Sequence, residues 1–163
     1  YNATSTSDPN AKLAEVLQQN LRELGIETRL QSTDWGTFTK KRDRGEMVMF
    51  RSSWFADYPD PDNFLYILFH SAQRGQAGNT TFYANAKVDA LLEQARASAD
   101  AAQRAKLYQA AEEIVVADAP WIFLYHSRAA MLKKPYVRGV RLSSIGADAT
   151  RMRGAWLDRS ARR

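Results

Sequence analysis

The chain has 163 residues, a formal net charge of +5, 45% hydrophobic and 25% charged residues, a composition that supports one sizeable core. It contains no cysteine, which excludes disulfides, thiolate metal sites and cysteine nucleophiles together, and it has no apolar run of the about 18 residues that a helical membrane span requires. Arginines crowd the end, at Arg151, Arg153, Arg159, Arg162 and Arg163; with only Trp156 interleaved, the stretch reads as a solvated terminus and not as a nucleic-acid surface, which would alternate charge with stacking rings.

The first half alternates helix and strand patterns. Asp8 can cap and Pro9 suits a first turn, while Leu13, Val16, Leu17, Leu21 and Leu24 recur at helical spacing until Gly25. Residues 26 to 32 then alternate Ile26, Thr28 and Leu30 with Glu27, Arg29 and Gln31, the period of a half-buried strand. Asp34 opens a short helix through Trp35 and Phe38 that stops at Gly45, and Met47 to Phe50 is continuously apolar, as in a strand covered on both faces. This order predicts an α/β lobe with a parallel or mixed sheet.

The second half is mainly helical. A helix is predicted from Asp62 to Phe69, then a polar surface loop from Ser71 to Asn79 with Gly75 and Gly78. Val88, Leu91, Leu92 and Ala95 form one apolar face behind a capping Asn85. Asp100 with Gln103 resembles a capping box ahead of Leu107, Ala110, Ala111, Ile114 and Val115, and Pro120 closes that helix. Trp121 to Tyr125 reads as a buried strand and Ala129 to Leu132 as its continuation or a separate short strand; beyond Pro135 periodicity fades.

The segment SSWFADYPDPDNF, Ser52 to Phe64, sets Asp57, Asp60 and Asp62 among Trp54, Phe55, Tyr58 and Phe64. Three carboxylates suggest a hard cation, but the EF-hand pattern read from Asp60 would need an oxygen ligand at Phe64 and a glycine after it, and has neither. Asp60 or Asp62 can instead cap the helix beginning near Asp62. Asp57 lies beyond the apolar strand Met47 to Phe50, where open α/β sheets gather ligands. Flanked by Trp54 and Tyr58, it suits an ammonium or guanidinium partner; a plain salt bridge is the other reading of the same residue. His70 and His126 form neither a nucleophile elbow nor a metal-ligand spacing, and no phosphate loop or dinucleotide fingerprint is present. The residues therefore call for no catalytic group, no metal and no cofactor.

Four stretches, WFADYPDPDNFLYILF, YANAKVDALLEQARASAD, RAKLYQAAEEIVVADAPWIFLYH and LKKPYVRGV, stand in the order seen in the carboxyl-terminal part of family 5 extracellular solute-binding proteins. LAEVLQQNLRELGIETRLQSTDWGTF is similar to the helix and strand that precede them, so the resemblance covers nearly all of residues 1 to 157. It implies one lobe of a type II periplasmic-binding-protein-like fold, a mixed sheet flanked by helices. Residues 1–128 would form most of the carboxyl-terminal ligand-binding lobe, its first strand truncated at Tyr1 and Asn2. Residues 129–163 would be a returning segment that packs on an amino-terminal lobe outside this chain. The resemblance also implies ABC-importer receptors that capture peptides, chelated nickel, haem, glutathione or sugars, in a periplasm or as cell-surface lipoproteins, and pass them to a permease without catalysis. In peptide-binding members the aspartate of a Trp-x-x-Asp element holds the ligand's α-amino group; the matching residues here are Trp54 and Asp57, with Tyr58 beside them as a further ligand-site residue.

Two other classes follow from the same residues. A single-lobe interaction module would self-associate without binding solute, through an open sheet edge or through the apolar residues Met131, Leu132, Tyr136, Val137, Val140, Leu142 and Trp156. A hydrolase would have to be built on His70 or His126.

Overall fold

The computed structural model describes residues 9–126, 128, 130–143, 145 and 152–161. Tyr1, Asn2 and the capping Asp8 lie outside the described residues, as do Ala129, Arg151, Arg162 and Arg163. Five α-helices lie among the described residues: α1 (Pro9–Glu23), α2 (Trp35–Asp43), α3 (Asp62–Phe69), α4 (Ala86–Ala97) and α5 (Ala101–Asp118).

The helix boundaries follow local chemistry. Asp34 accepts the Thr37 N–H at α2, Asn85 accepts the Lys87 and Val88 N–H groups at α4, and Asp100 accepts those of Ala102 and Gln103 at α5. Each fills orphan donors of a first turn. At the other end of α1, Ile26 N–H bonds Leu21 O and Gly25 N–H bonds Arg22 O, with Gly25 at φ +77°. The same pair of bonds closes α2 around Gly45, the left-handed stop for which glycine is suited.

The core lies where α3, α4 and α5 meet. Leu65, Leu68 and Phe69 of α3 pack with Val88, Leu92 and Ala95 of α4 and with Tyr108, Ala111 and Val115 of α5, and Trp54, Tyr83 and Trp121 close over them. Truncating such a residue, Leu92 for example, costs about 2–5 kcal/mol. In α1, Ala11 and Ala14 are buried and Leu13, Leu17 and Leu21 half-buried, whereas Val16, and Leu24 just beyond the helix, are exposed.

The strands read from periodicity do not form a sheet here. Among the described residues the sheet is an antiparallel pair of two-residue strands, β1 (Val137–Arg138) and β2 (Trp156–Leu157). Residues 26–32 enter no strand and are tied to α1 by Gln18 Nε2 donating to Thr28 O (2.7 Å). Met47 to Phe50 is not covered on both faces, because Val48 is fully exposed and Met49 largely so. Ile122 to Tyr125 is likewise exposed, not buried. Strand ladders need a neighbour about 4.8 Å away, and among the described residues none of these three segments forms a strand.

The loop after α3 lies mostly at the surface, as its composition suggests, but it is built on a buried centre. It folds as two 3-10 turns, Ser71–Gln73 and Gly75–Ala77, around a fully buried Asn79. The Asn79 amide donates to His70 O (3.1 Å) and Tyr83 O (2.9 Å) and accepts the Tyr83 N–H (3.2 Å). A polar side chain can be buried inside such a loop because its hydrogen bonds are met there.

α5 ends on Ala119 in the left-handed region, at φ 47° and ψ 49°, a conformation that penalises a Cβ by about 1–2 kcal/mol. Ala119→Gly is expected to stabilise the chain by about 0.5–1 kcal/mol, part of the relief being offset by glycine's freedom in the unfolded chain. Urea unfolding monitored by circular dichroism checks this; a lower midpoint would contradict it.

Candidate functional site

The aspartate-rich turn is held from below by α3. Asn63, only 1% exposed, accepts through Oδ1 both the Trp54 indole N–H (3.0 Å) and the Asp57 backbone N–H (3.0 Å), and its Nδ2 donates to Asp57 Oδ2 (3.4 Å). Asp57 itself is exposed. No ion pair reaches it among the described residues, so nothing there supports the plain salt-bridge reading.

Asp60 and Asp62 are occupied within the protein. Asp60 Oδ1 accepts the Asp62 N–H (2.9 Å) at the start of α3, and both Asp60 oxygens receive the Arg104 guanidinium at 2.7 Å. These hydrogen bonds hold the Asp60 carboxyl below the usual carboxylate range, burial opposing them. Asp62, 8% exposed, accepts the hydroxyls of Tyr58 (2.6 Å) and Tyr108 (3.3 Å) and pairs with Arg96 Nε at 3.1 Å. Arg96 also lies over the Tyr66 ring, 3.9 Å from its centroid. The Tyr58 phenol is raised, chiefly by its bond to Asp62; that of Tyr108 is raised by burial and then by the Asp62 charge. Tyr58, Asp60, Asp62, Arg96 and Arg104 line an open depression of about 250 Å³ in which cation and anion already neutralise each other.

The structure thus brings Trp54 and Asp57 together, while the Tyr58 hydroxyl turns to Asp62. The histidines stand apart in role. His70 is buried; its Nδ1 accepts the Ala72 N–H (3.1 Å), which leaves Nε2 to donate to Glu93 Oε1 (3.3 Å), and its ring stacks on Tyr66. His126 is exposed on the extended segment after Trp121. Among the described residues no three acidic or imidazole groups are arranged to hold a metal ion. Sequence reasoning missed Asn63, Arg96 and Arg104. For Asn63 one signal existed, a lone amide inside the apolar helix DNFLYILF.

The helical core with its attached turn is part of a type II periplasmic-binding-protein fold. The chain superposes on the Escherichia coli murein tripeptide binding protein MppA with a TM-score of 0.77 at 29% identity, over 96% of this chain and 30% of that one. On the ABC transporter-associated periplasmic binding protein DppA from Helicobacter pylori, solved in complex with the peptide STSA, the TM-score is 0.72 at 29% identity, over 94% and 30% of the two chains. In sequence, residues 1–76 match the profile of bacterial extracellular solute-binding proteins, family 5 Middle. Curated relatives include Heme-binding protein A of Haemophilus influenzae, 35% identical over 144 residues, which are 88% of this chain and 26% of that protein. Another is the probable D,D-dipeptide-binding periplasmic protein DdpA of Escherichia coli, 33% identical over 136 residues, 83% of this chain and 26% of that protein. The chain spans about a quarter of the length of the curated relatives it matches.

The Asp60–Arg104 pair has a pH signature. A carboxyl lowered in the folded state stabilises the fold above its unfolded pKa of about 4, and that contribution is lost as pH falls through the folded value. Asp60→Asn is expected to cost about 1–2 kcal/mol near neutral pH, as for a partly exposed, doubly hydrogen-bonded ion pair. Its deficit against the parent should shrink once pH drops below about 4. Thermal unfolding across a pH series measures both; a gap that widens in acid would contradict the assignment.

Proposed function

We propose that this chain is most of the carboxyl-terminal lobe of an ABC-importer receptor that captures peptides or similar small solutes outside the cytoplasm, with Asp57 anchoring the ligand's α-ammonium. The observation that carries this is an exposed carboxylate, fixed by Asn63 beside Trp54, that pairs with no cation among the described residues. Its neighbours Asp60 and Asp62 each have an arginine. A carboxylate so placed meets an incoming ammonium by a charge-assisted hydrogen bond, and the half-buried Trp54 ring lowers the local dielectric beside it. Several similar proteins are described as dipeptide- or tripeptide-binding, and Trp54 with Asp57 resembles the Trp-x-x-Asp element that holds the α-amino group in peptide-binding members of family 5.

Closure supplies the mechanism. Ligand contacts from two lobes favour the closed state, which a permease recognises, and no bond in the solute is made or broken. Residues 129–163 would return toward the other lobe. The exposed apolar residues Val48, Ile122, Phe123, Leu132 and Leu142 suit burial against the remainder of such a receptor; patches of this kind mark interaction surfaces. Trp54 forms part of the ligand wall, and Tyr58 supports it through its ring while its hydroxyl serves Asp62.

In the full-length receptor, Asp57→Asn is expected to weaken binding of peptides with a free amino terminus by about 2–5 kcal/mol, the range for unpairing one partner of a buried charged hydrogen bond. Amino-acetylated peptides should lose little. Calorimetry with matched free and acetylated peptides decides it, and equal losses for the two would refute the anchor.

The 163-residue chain alone is expected to bind peptides weakly and to self-associate through its exposed apolar segments. Light scattering over a concentration series, with peptide titration of the same samples, tests both. A strict monomer would contradict the self-association, and submicromolar peptide binding would contradict the split site.

A further inference from the structure

We infer that Asn63 is a positioning residue for ligand recognition: it sets the direction of the Asp57 carboxylate and of the Trp54 indole without touching ligand itself. The inference rests on the reading of Asp57 as the ammonium anchor.

Asn63 lies in the first turn of α3 and is essentially removed from solvent. Burying an amide is unfavourable unless its polar atoms are bonded. All three of its side-chain hydrogen bonds go to one short segment. Oδ1 has two lone pairs and both are used, one for the Trp54 indole N–H and one for the Asp57 backbone N–H. Nδ2 reaches Asp57 Oδ2. None of these bonds goes to α4 or α5. The other fully buried amide, Asn79, bonds mainly to loop backbone and shapes a turn; Asn63 instead bonds two side chains of the proposed ligand wall.

The chemistry of the side chain explains why an amide stands there. Leucine would fill the space and strand two N–H groups. Aspartate would keep both acceptances and set a second carboxylate about where Nδ2 meets Asp57. The two carboxylates would then share a proton, and one negative charge would remain to meet an ammonium. The rigid part of the chain is also the reference for this geometry, since the residue before Asn63, Asp62, is tied to Tyr108 and Arg96. Asn63 carries that fixed frame to the anchor.

The test uses the full-length receptor labelled with fluorotryptophan, the Trp54 resonance being assigned by its loss in Trp54→Phe. The probes are dialanine and N-acetyl-dialanine. Asn63→Leu is expected to move the Trp54 fluorine resonance and to weaken dialanine binding by about tenfold or more, the loss of roughly one well-formed hydrogen bond's discrimination. N-acetyl-dialanine should change by less than about threefold. Asn63→Asp should return the resonance to its parental position and hold dialanine binding within about threefold of the parent. If Asn63→Leu does not fold, Asn63→Ser, too short to reach either N–H, carries the same expectations. Equal losses for both peptides, or an unmoved Trp54 resonance, overturn the positioning role. A parent that binds the two peptides equally, with Asp57→Asn equally indifferent, overturns the ammonium anchor itself; a resonance that still moves in Asn63→Leu then makes Asn63 a structural amide only.

Discussion

A carboxylate that is nearly withdrawn from water must be paired, and at Asp62 that requirement organises the molecule. Left alone, such a charge would cost several kcal/mol. Asp62 is met by two tyrosine hydroxyls, by Arg96 and by the positive end of α3. Its partners come from the turn, from α4 and from α5, so a single buried charge binds the proline turn to two helices that are distant in sequence. Asp60 repeats the arrangement through Arg104. With the turn fixed at Asp60 and Asp62, the side chain next along α3 can be aimed back at residues 54 and 57.

Three acidic residues within six positions therefore do different jobs. Two are neutralised and set the shape of the turn; the third is held out toward solvent by one amide, which accepts its backbone N–H and donates to its carboxylate. Had Asp57 also found an arginine, the cluster would be a closed ionic knot with no capacity for a further cation. The aromatic residues divide in the same manner. Tyr58 and Tyr108 lend hydroxyls to the interior, Tyr66 offers its ring to Arg96 and to His70, and Trp54 joins the core to the exposed carboxylate.

The helices were legible in the sequence because their signals are local. Asp34, Asn85 and Asp100 cap within three residues of themselves, and Gly25, Gly45 and Pro120 stop what precedes them. The strands at 26–32, 47–50 and 121–125 were not resolved into a sheet, because a ladder depends on a neighbour that periodicity does not name. Apolar content at Val48 and Ile122 signalled a need for cover, and the described residues do not supply it. At the candidate site, the resemblance of a short motif proposes Asp57 and Trp54, and the structure adds the amide of Asn63 that bonds them both. Arg96 and Arg104 were not legible: their partners lie 34 and 44 positions away, and charged residues on an amphipathic helix look alike whether they face water or a buried carboxylate.

The knot around Asn79 bears on how this stretch of protein tolerates change in length. Its amide ties residue 70 to residue 83, and Gly78 runs so near α3 that a Cβ there would stand 2.5 Å from the Ile67 carbonyl oxygen. Foreign sequence spliced between His70 and Tyr83, whether an epitope tag or a reporter, would pull apart bonds that no solvent can replace. The short exposed link at residues 98–100, between α4 and α5, holds no such knot, and grafting is better directed there provided that the capping carboxylate of Asp100 is kept.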